Sequence, residues 1–325
     1  MRFDTMEYYG ITRDFTQSGF LQTDYIENLL KDLKAAIYAG GLIAVSGLSG
    51  SGKSNAIWNL QATLAKEGRV ILSKSLCVEK QKVTLAGLIG AMFCDLSPKK
   101  DVRIPNQGEK RERELQELVK QGKKPVALFI DEAHDLHPST LKGLKRLIEV
   151  VKQSGGVLSV VLVGHLKLKN DLERPNMEEI CYRTRQFVYE GVADSRREFI
   201  EWLLEQCSDE KTKPEDILHA EAIELISERA TTALQIQEFL TKILEAGHAT
   251  AERPVSAALV ESVLSRNELS DWVATVTRHG YDVRSLSDIL NVRPSEVKQL
   301  LGGQLDPMRT QELNEQLRVA GLPVR

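Results

Sequence analysis

At 325 residues the chain is longer than one ordinary domain, and 42% hydrophobic against 27% charged residues is a globular balance that excludes wholesale disorder and collagen- or mucin-like repeats. A formal net charge of −3 gives no global basic field, so any contact with nucleic acid must come from local patches. There is no run of about 18 apolar residues, the N-terminal stretch carries acids, and the four cysteines (Cys77, Cys94, Cys181, Cys207) form no CxxC, so we expect a cytoplasmic chain with reduced thiols and no membrane span, secretory signal, zinc site or disulfide framework.

The first strong periodicity runs from Thr23 to Gly41. Thr23 is a cap-type residue, Ile26, Leu29, Leu30, Leu33 and Ile37 share one helical face, and Gly40-Gly41 stop the helix. The apolar run 42–47 (LIAVSG) predicts a strand, with a helix starting near Lys53. A second strand is expected at 69–75 and a helix at 84–96; prolines and glycine mark 97–108 as a loop. A charged helix follows at 109–121, ended by Gly122. The continuously apolar 125–130 (PVALFI) reads as a strand buried on both faces. A helix at about 139–153, a strand at 157–164 and a fifth strand at 186–190 complete an alternation that predicts an α/β fold with a parallel sheet. After Asp194 the chain reads as a helical bundle (DSRREFIEWLLEQC, PEDILHAEAIELISERA, TALQIQEFLTKILEAG, VSAALVESVLS). The expected domains are therefore 1–193 (α/β), 194–266 (helical) and 267–325 (a small helical tail).

The segment GLSGSGKS, Gly47 to Ser54, matches G-x-x-x-x-G-K-[ST] and lies between a predicted strand and a predicted helix, the context that a P-loop requires. Gly47, Leu48, Ser49, Gly50, Ser51, Gly52, Lys53, Ser54 and Asn55 are the expected ATP-binding residues. Glycines let backbone N–H groups wrap phosphates, and the helix N-terminus adds positive partial charge. Lys53 would reach the β- and γ-phosphates and the Ser54 hydroxyl would hold Mg²⁺. In ALFIDEAHDL an apolar strand delivers Asp131 and Glu132 at its C-terminal end. Asp131 would complete the Mg²⁺ shell, and Glu132 would polarise the attacking water, which makes the expected activity ATP hydrolysis. His165, after the strand that ends at Gly164, is the expected γ-phosphate sensor, the other reading being a structural histidine. Arg183 and Arg185 in CYRTRQF are candidates for a finger completing a neighbour's site, against ordinary surface charge.

Together GLSGSGKS, ALFIDEAHDL, the VLVGH strand end and the helical tail resemble AAA+ ATPases. More narrowly, YYGITRDF…GFLQTDY ahead of the P-loop and VLVGH resemble the ExeA-like ATPases, close to transposition helpers of the TnsC, TniB, IstB and phage Mu B protein type. The resemblance spans about residues 6–266. It implies an AAA+ P-loop domain with strand order 5-1-4-3-2, a helical lid and a small all-α C-terminal segment. It also implies ATP held between subunits of a homo-oligomeric ring or filament that coats duplex DNA and recruits a transposase. Two departures stand out. TTALQIQEF carries Gln235 and Gln237 where many lids carry a sensor arginine, so that the lid would contact ATP differently or turnover would be slow, and no wall-binding or membrane part of secretion-type ExeA is expected in this chain, which weakens the secretion reading. The alternatives are a DNA-independent ExeA-like assembly or signalling ATPase, or a loader of replication proteins.

Residues 97–124 hold nine basic residues against five acidic ones. Lys99, Lys100, Arg103, Lys110, Arg111 and Arg113 are the candidate DNA contacts; the competing reading for the helix is a solvated face of i,i+4 charge pairs. No aromatic residue interleaves them, so binding should be weakly sequence-specific. In the tail, Leu286, Ile289, Leu290, Val292, Val297, Leu300 and Leu301 resemble a helix-turn-helix core with a second helix from Pro294, suited to DNA or to a partner protein. Tyr8, Tyr9 and Phe15 line an adenine pocket or pack the N-terminus. His134, His137, His219, His248 and His279 show no ligand spacing.

Overall fold

The computed structural model describes residues 1–74, 83–97, 104–105, 107–265, 276, 281–302, 304–320 and 322. The chain forms two compact units. One comprises Asp24–Gly47 and Lys53–Tyr189; the other comprises Met1–Thr23, Leu48–Gly52 and Glu190–Arg325.

The first unit is built on five parallel strands: β1 (Gly41–Ser46), β2 (Ile71–Lys74), β3 (Val126–Ile130), β4 (Leu158–Gly164) and β5 (Thr184–Val188). Their order is β2-β3-β4-β1-β5, the expected 5-1-4-3-2 read from the other edge. The central strands are apolar throughout because both faces are covered. On one face Leu42, Ala44, Leu128, Ile130, Val160 and Leu162 pack with Leu88, Met92, Leu115, Leu144 and Val151 from the helices Leu85–Leu96, Gly108–Gly122 and Pro138–Gln153. Alternate residues Ile43, Val45, Phe129 and Val161 are buried on the other face. There the helix Asp24–Ala39 lies against β1 and β4, tied by the hydroxyl of Ser159, which donates to Ile37 O at 2.6 Å.

The fifth strand begins two residues earlier than the sequence suggests. It lies at the sheet edge with Arg185 and Gln186 exposed, so no apolar run marks its start. Parallel strands bring all their C-terminal ends to one sheet edge, the place where open α/β sheets bind ligands. With Ser46 opposite Gly164 and Ile130 opposite Leu162, the residues after β1, β3 and β4 emerge side by side.

The second unit is helical. Arg196–Cys207, Ala220–Arg229, Ala233–Thr250 and Ala257–Leu264 are joined by Phe3–Tyr9. Their core gathers Leu203, Leu204, Ile223, Ile226, Ile236, Leu240 and Leu244 with Tyr9, Ile11 and Phe15. Side-chain caps set two starts: Thr232 accepts from Gln235 N, and Ser256 from Leu259 N. Pro214–Asp216, read from sequence as helix, is a 3₁₀ turn leading to a bridge between Leu218 and Val255. Tyr9 and Phe15 are fully buried, and the Tyr9 hydroxyl donates to Glu252 O at 2.8 Å.

The tail has a core of its own. Leu286, Leu290, Val297 and Leu300 meet Leu313 and Leu317 from the helices Val283–Leu290, Pro294–Leu301 and Pro307–Val319. The second helix starts at Pro294, where a missing N–H costs nothing. Arg309 pairs with Glu296 at 2.7 Å. Among the described residues no helix is long and apolar enough to cross a membrane, and Cys94, Cys181 and Cys207 are free thiols.

Candidate functional site

β1 ends at Ser46 and the chain turns at Gly47. A Cβ there would stand 2.2 Å from Tyr189 O and 3.3 Å from Lys53 Cδ, so only glycine fits. Further on, Gly50 (φ 76°) and Gly52 (φ 96°) take the left-handed conformation that keeps a tight loop of backbone amides open. Gly50 O accepts from Leu234 N at 3.0 Å. Lys53 and Ser54 then open the helix Lys53–Glu67, with Asn55 exposed in its first turn.

The Lys53 side chain is only 8% exposed. Its ammonium folds back to donate to Gly47 O at 3.0 Å. Burial pushes its pKa down to about 8, against the pull of the Glu132 and Asp131 carboxylates. Ser54 Oγ donates to Asp131 Oδ2 at 3.2 Å, and the other carboxylate oxygen of Asp131 accepts from Glu132 N at 2.9 Å. Two oxygen donors fixed side by side suit a hard divalent cation such as Mg²⁺.

Glu132 sits in the left-handed region at φ 53°. Lys123, Ala251 and Asn291, the other described non-glycine residues of this kind, end helices, where a left-handed residue closes the last turn. Glu132 follows a strand and has no such role. The twist brings its carboxylate to the two imidazoles: Oε2 lies 3.3 Å from His134 Nδ1 and 3.5 Å from His165 Nε2. The imidazole rings are 4.1 Å apart, edge to face. Burial holds the His134 pKa below the ordinary histidine value, with Asp135 pulling the other way and Lys167 and Lys53 adding to the fall.

The structure thus brings Gly47, Lys53, Ser54, Asp131, Glu132 and His165 to one edge of the sheet. It adds His134, which sequence spacing dismissed: its contact partner His165 comes from the neighbouring strand, 31 positions on. The available signal was Glu-x-His directly after β3 with Gly-His after its neighbour β4. Arg183 and Arg185 are elsewhere. They flank the start of β5, at the opposite sheet edge, and line a cavity of about 440 Å³ with Lys145, Glu149 and Lys152. Arg183 pairs with Glu149, and Arg185 Nη1 reaches Ala36 O at 3.5 Å. Of the basic cluster, Lys99, Lys100 and Arg103 lie outside the described residues. In the helix Gly108–Gly122, Arg113 pairs with Glu109 at 2.7 Å and Lys110 with Glu114 at 4.0 Å, while Arg111 is half-buried.

Strand order, loop and strand-end carboxylates define an AAA+ P-loop fold. Residues 37–172 match the family described as AAA domain. By sequence, no curated protein matches the chain. Among solved structures it is similar to the ORC2 protein of Aeropyrum pernix in ADPNP–ADP complexes (14% identity, TM-score 0.53, 96% of this chain and 91% of that one). Cdc6p of Pyrobaculum aerophilum is similar to the same degree (16%, 0.53, 96% and 91%). So is the ORC1 protein of A. pernix in complex with DNA (16%, 0.51, 96% and 88%). At these identities the likeness is one of fold.

Proposed function

We propose that the chain is an ATP-hydrolysing AAA+ protein that assembles on duplex DNA with little sequence preference and recruits or regulates a transposase. The observation that carries the nucleotide chemistry is the Ser54–Asp131 oxygen pair beside the buried Lys53. In this reading the amides of residues 47–52 and the Lys53 ammonium hold phosphate oxygens, and Glu132 takes the proton of the attacking water. Ser54 and Asp131 would hold the magnesium ion, which when bound neutralises charge on the phosphates. His165 senses the γ-phosphate. Arg183 or Arg185, at the far sheet edge, serves the neighbouring subunit of a homo-oligomer. Residues 194–266 act as the lid, and 267–325 as a module for DNA or a protein partner.

The DNA arm is supported by the fold likeness to a protein solved on DNA, which extends over 96% of the chain, and by the basic stretch 97–124. The transposase arm is supported by the resemblance of the YYGITRDF and VLVGH segments to transposition helpers. A second reading, a DNA-independent assembly ATPase, is favoured by the intrahelical pairing of Lys110 and Arg113.

Sedimentation with long duplex DNA, with and without ATP, separates the two. Lys53→Ala should abolish ATP binding and assembly. Glu132→Gln should keep ATP and stay on DNA. Wild-type turnover in Glu132→Gln would remove the base assignment. If DNA neither co-sediments at low salt nor changes turnover, the second reading takes its place.

A further inference from the structure

Among the described residues, one group of histidine and carboxylate side chains has its ligand atoms within 4.8 Å of one another: Glu132, His134 and His165. We propose that these three side chains form a binding site for a borderline divalent transition-metal ion, Zn²⁺ foremost, separate from the oxygen pair of Ser54 and Asp131.

The distances fit coordination. Zinc–nitrogen and zinc–oxygen bonds of about 2.1 Å place neighbouring tetrahedral ligands about 3.4 Å apart. Glu132 Oε2 lies 3.3 Å from His134 Nδ1 and 3.5 Å from His165 Nε2. His134 Nδ1 is buried and, close as that oxygen is, makes no hydrogen bond with it. A nitrogen beside an oxygen but not bonded to it is the relation of two ligands on one ion.

The frame is rigid. Glu132 and His134 follow β3, His165 follows β4, and the two strands are paired in fixed register. Gly164 makes room for the ring: a Cβ there would stand 3.2 Å from His134 N and 3.4 Å from His134 Nδ1. On its far side, His134 Nε2 lies 3.8 Å from Asp135 Oδ1. The imidazoles are 8% and 11% exposed and Glu132 48%, which leaves an open side for a fourth, water ligand. Two imidazoles and one carboxylate select zinc, cobalt or nickel over magnesium, which takes oxygen. The expectation of no zinc site rested on the unpaired cysteines; here the ligands are histidine and glutamate.

Glu132 cannot ligate an ion and accept a proton from water at once. A metal held here therefore stops turnover, a consequence that rests on Glu132 being the base. The Lys53 ammonium, drawn to the same carboxylate, competes with the ion.

The test is titration of Co²⁺ into the full chain without nucleotide or magnesium. One equivalent should give the visible bands of four-coordinate cobalt, bleached by Zn²⁺. His134→Ala and His165→Ala should each weaken binding by about tenfold or more. His137→Ala and His219→Ala, at exposed histidines, should leave it unchanged. Glu132→Gln, which keeps side-chain size, should weaken it too and covers any misfolding of the alanine variants. Absence of the bands, or bands that survive in both His134→Ala and His165→Ala, overturns the site. If cobalt binds as described but stoichiometric Zn²⁺ leaves ATP turnover intact, the site stands and the base assignment falls. If Glu132→Gln stops turnover while no cobalt binds, the base stands and the site falls.

Discussion

The sheet unit and the helical unit treat buried polar groups differently. In the helical unit several have a ready partner: the Tyr9 hydroxyl meets Glu252 O, Thr5 Oγ1 meets His248 Nδ1, Ser227 Oγ meets Glu224 O, and Thr232 caps a helix through Gln235 N. Such groups cost little and specify one packing. In the sheet unit the strand ends carry an ammonium that burial has pushed down to about 8, a glutamate in a left-handed backbone, and two imidazoles in edge contact. These arrangements cost stability unless a ligand or a reaction uses them. The comparison makes the sheet edge the place where substitutions should separate activity from stability.

The largest expected effect separates activity from stability there. Glu132→Gln should lower the ATP turnover rate by about 10²–10⁴-fold, the range for losing a general base. It should leave the far-ultraviolet circular dichroism and the melting temperature close to wild type. A variant that loses both together would mean that Glu132 is a structural residue like those of the helical unit.

The reverse separation belongs to the helical core. Leu240 is fully buried, and Leu240→Ala should cost about 2–5 kcal/mol from lost transfer energy and the cavity left behind. Cys207 reports on that core directly. Burial pushes its thiol up to about 11, so at pH 8 only about one molecule in a thousand carries the thiolate that reacts. In the wild type, thiol labelling of Cys207 at pH 8 should be slow beside that of the exposed Cys94. Leu240→Ala should speed labelling of Cys207 and not of Cys94. Equal acceleration at both would show the two regions opening as one.

The same contrast governs what could be read from sequence. β1, β3 and β4 were legible because strands buried on both faces leave unbroken apolar runs, and the glycine loop was legible because its chemistry needs fixed spacings. β5 was misplaced by two residues because an edge strand is only partly covered: Thr184 is buried while Arg185 and Gln186 are exposed, so no apolar run marks its start. Phe3–Tyr9 and Leu166–Leu172 went unread because seven residues hold too few turns for a helical period to show. His134 went unread because its partner is set by strand register, and a contact between residues after β3 and after β4 leaves no local spacing to find.

The smallest effect gives the sharpest test of strain. A left-handed backbone costs an ordinary residue about 1–2 kcal/mol, and glycine avoids that at an entropic cost of about half as much. Glu132→Gly should therefore be more stable than Glu132→Gln by about 0.5–1 kcal/mol, though both lack the carboxylate. In a chain of this size that is a difference of about 1 °C in melting temperature. Ala251→Gly, at φ 55° where the helix Ala233–Thr250 ends, should gain a similar amount. The two gains would differ in consequence: at Ala251 turnover is retained, and at Glu132 it is lost. If Glu132→Gly melts below Glu132→Gln, the backbone at Glu132 is not strained, and the sheet edge stores no more energy than the helix cap does.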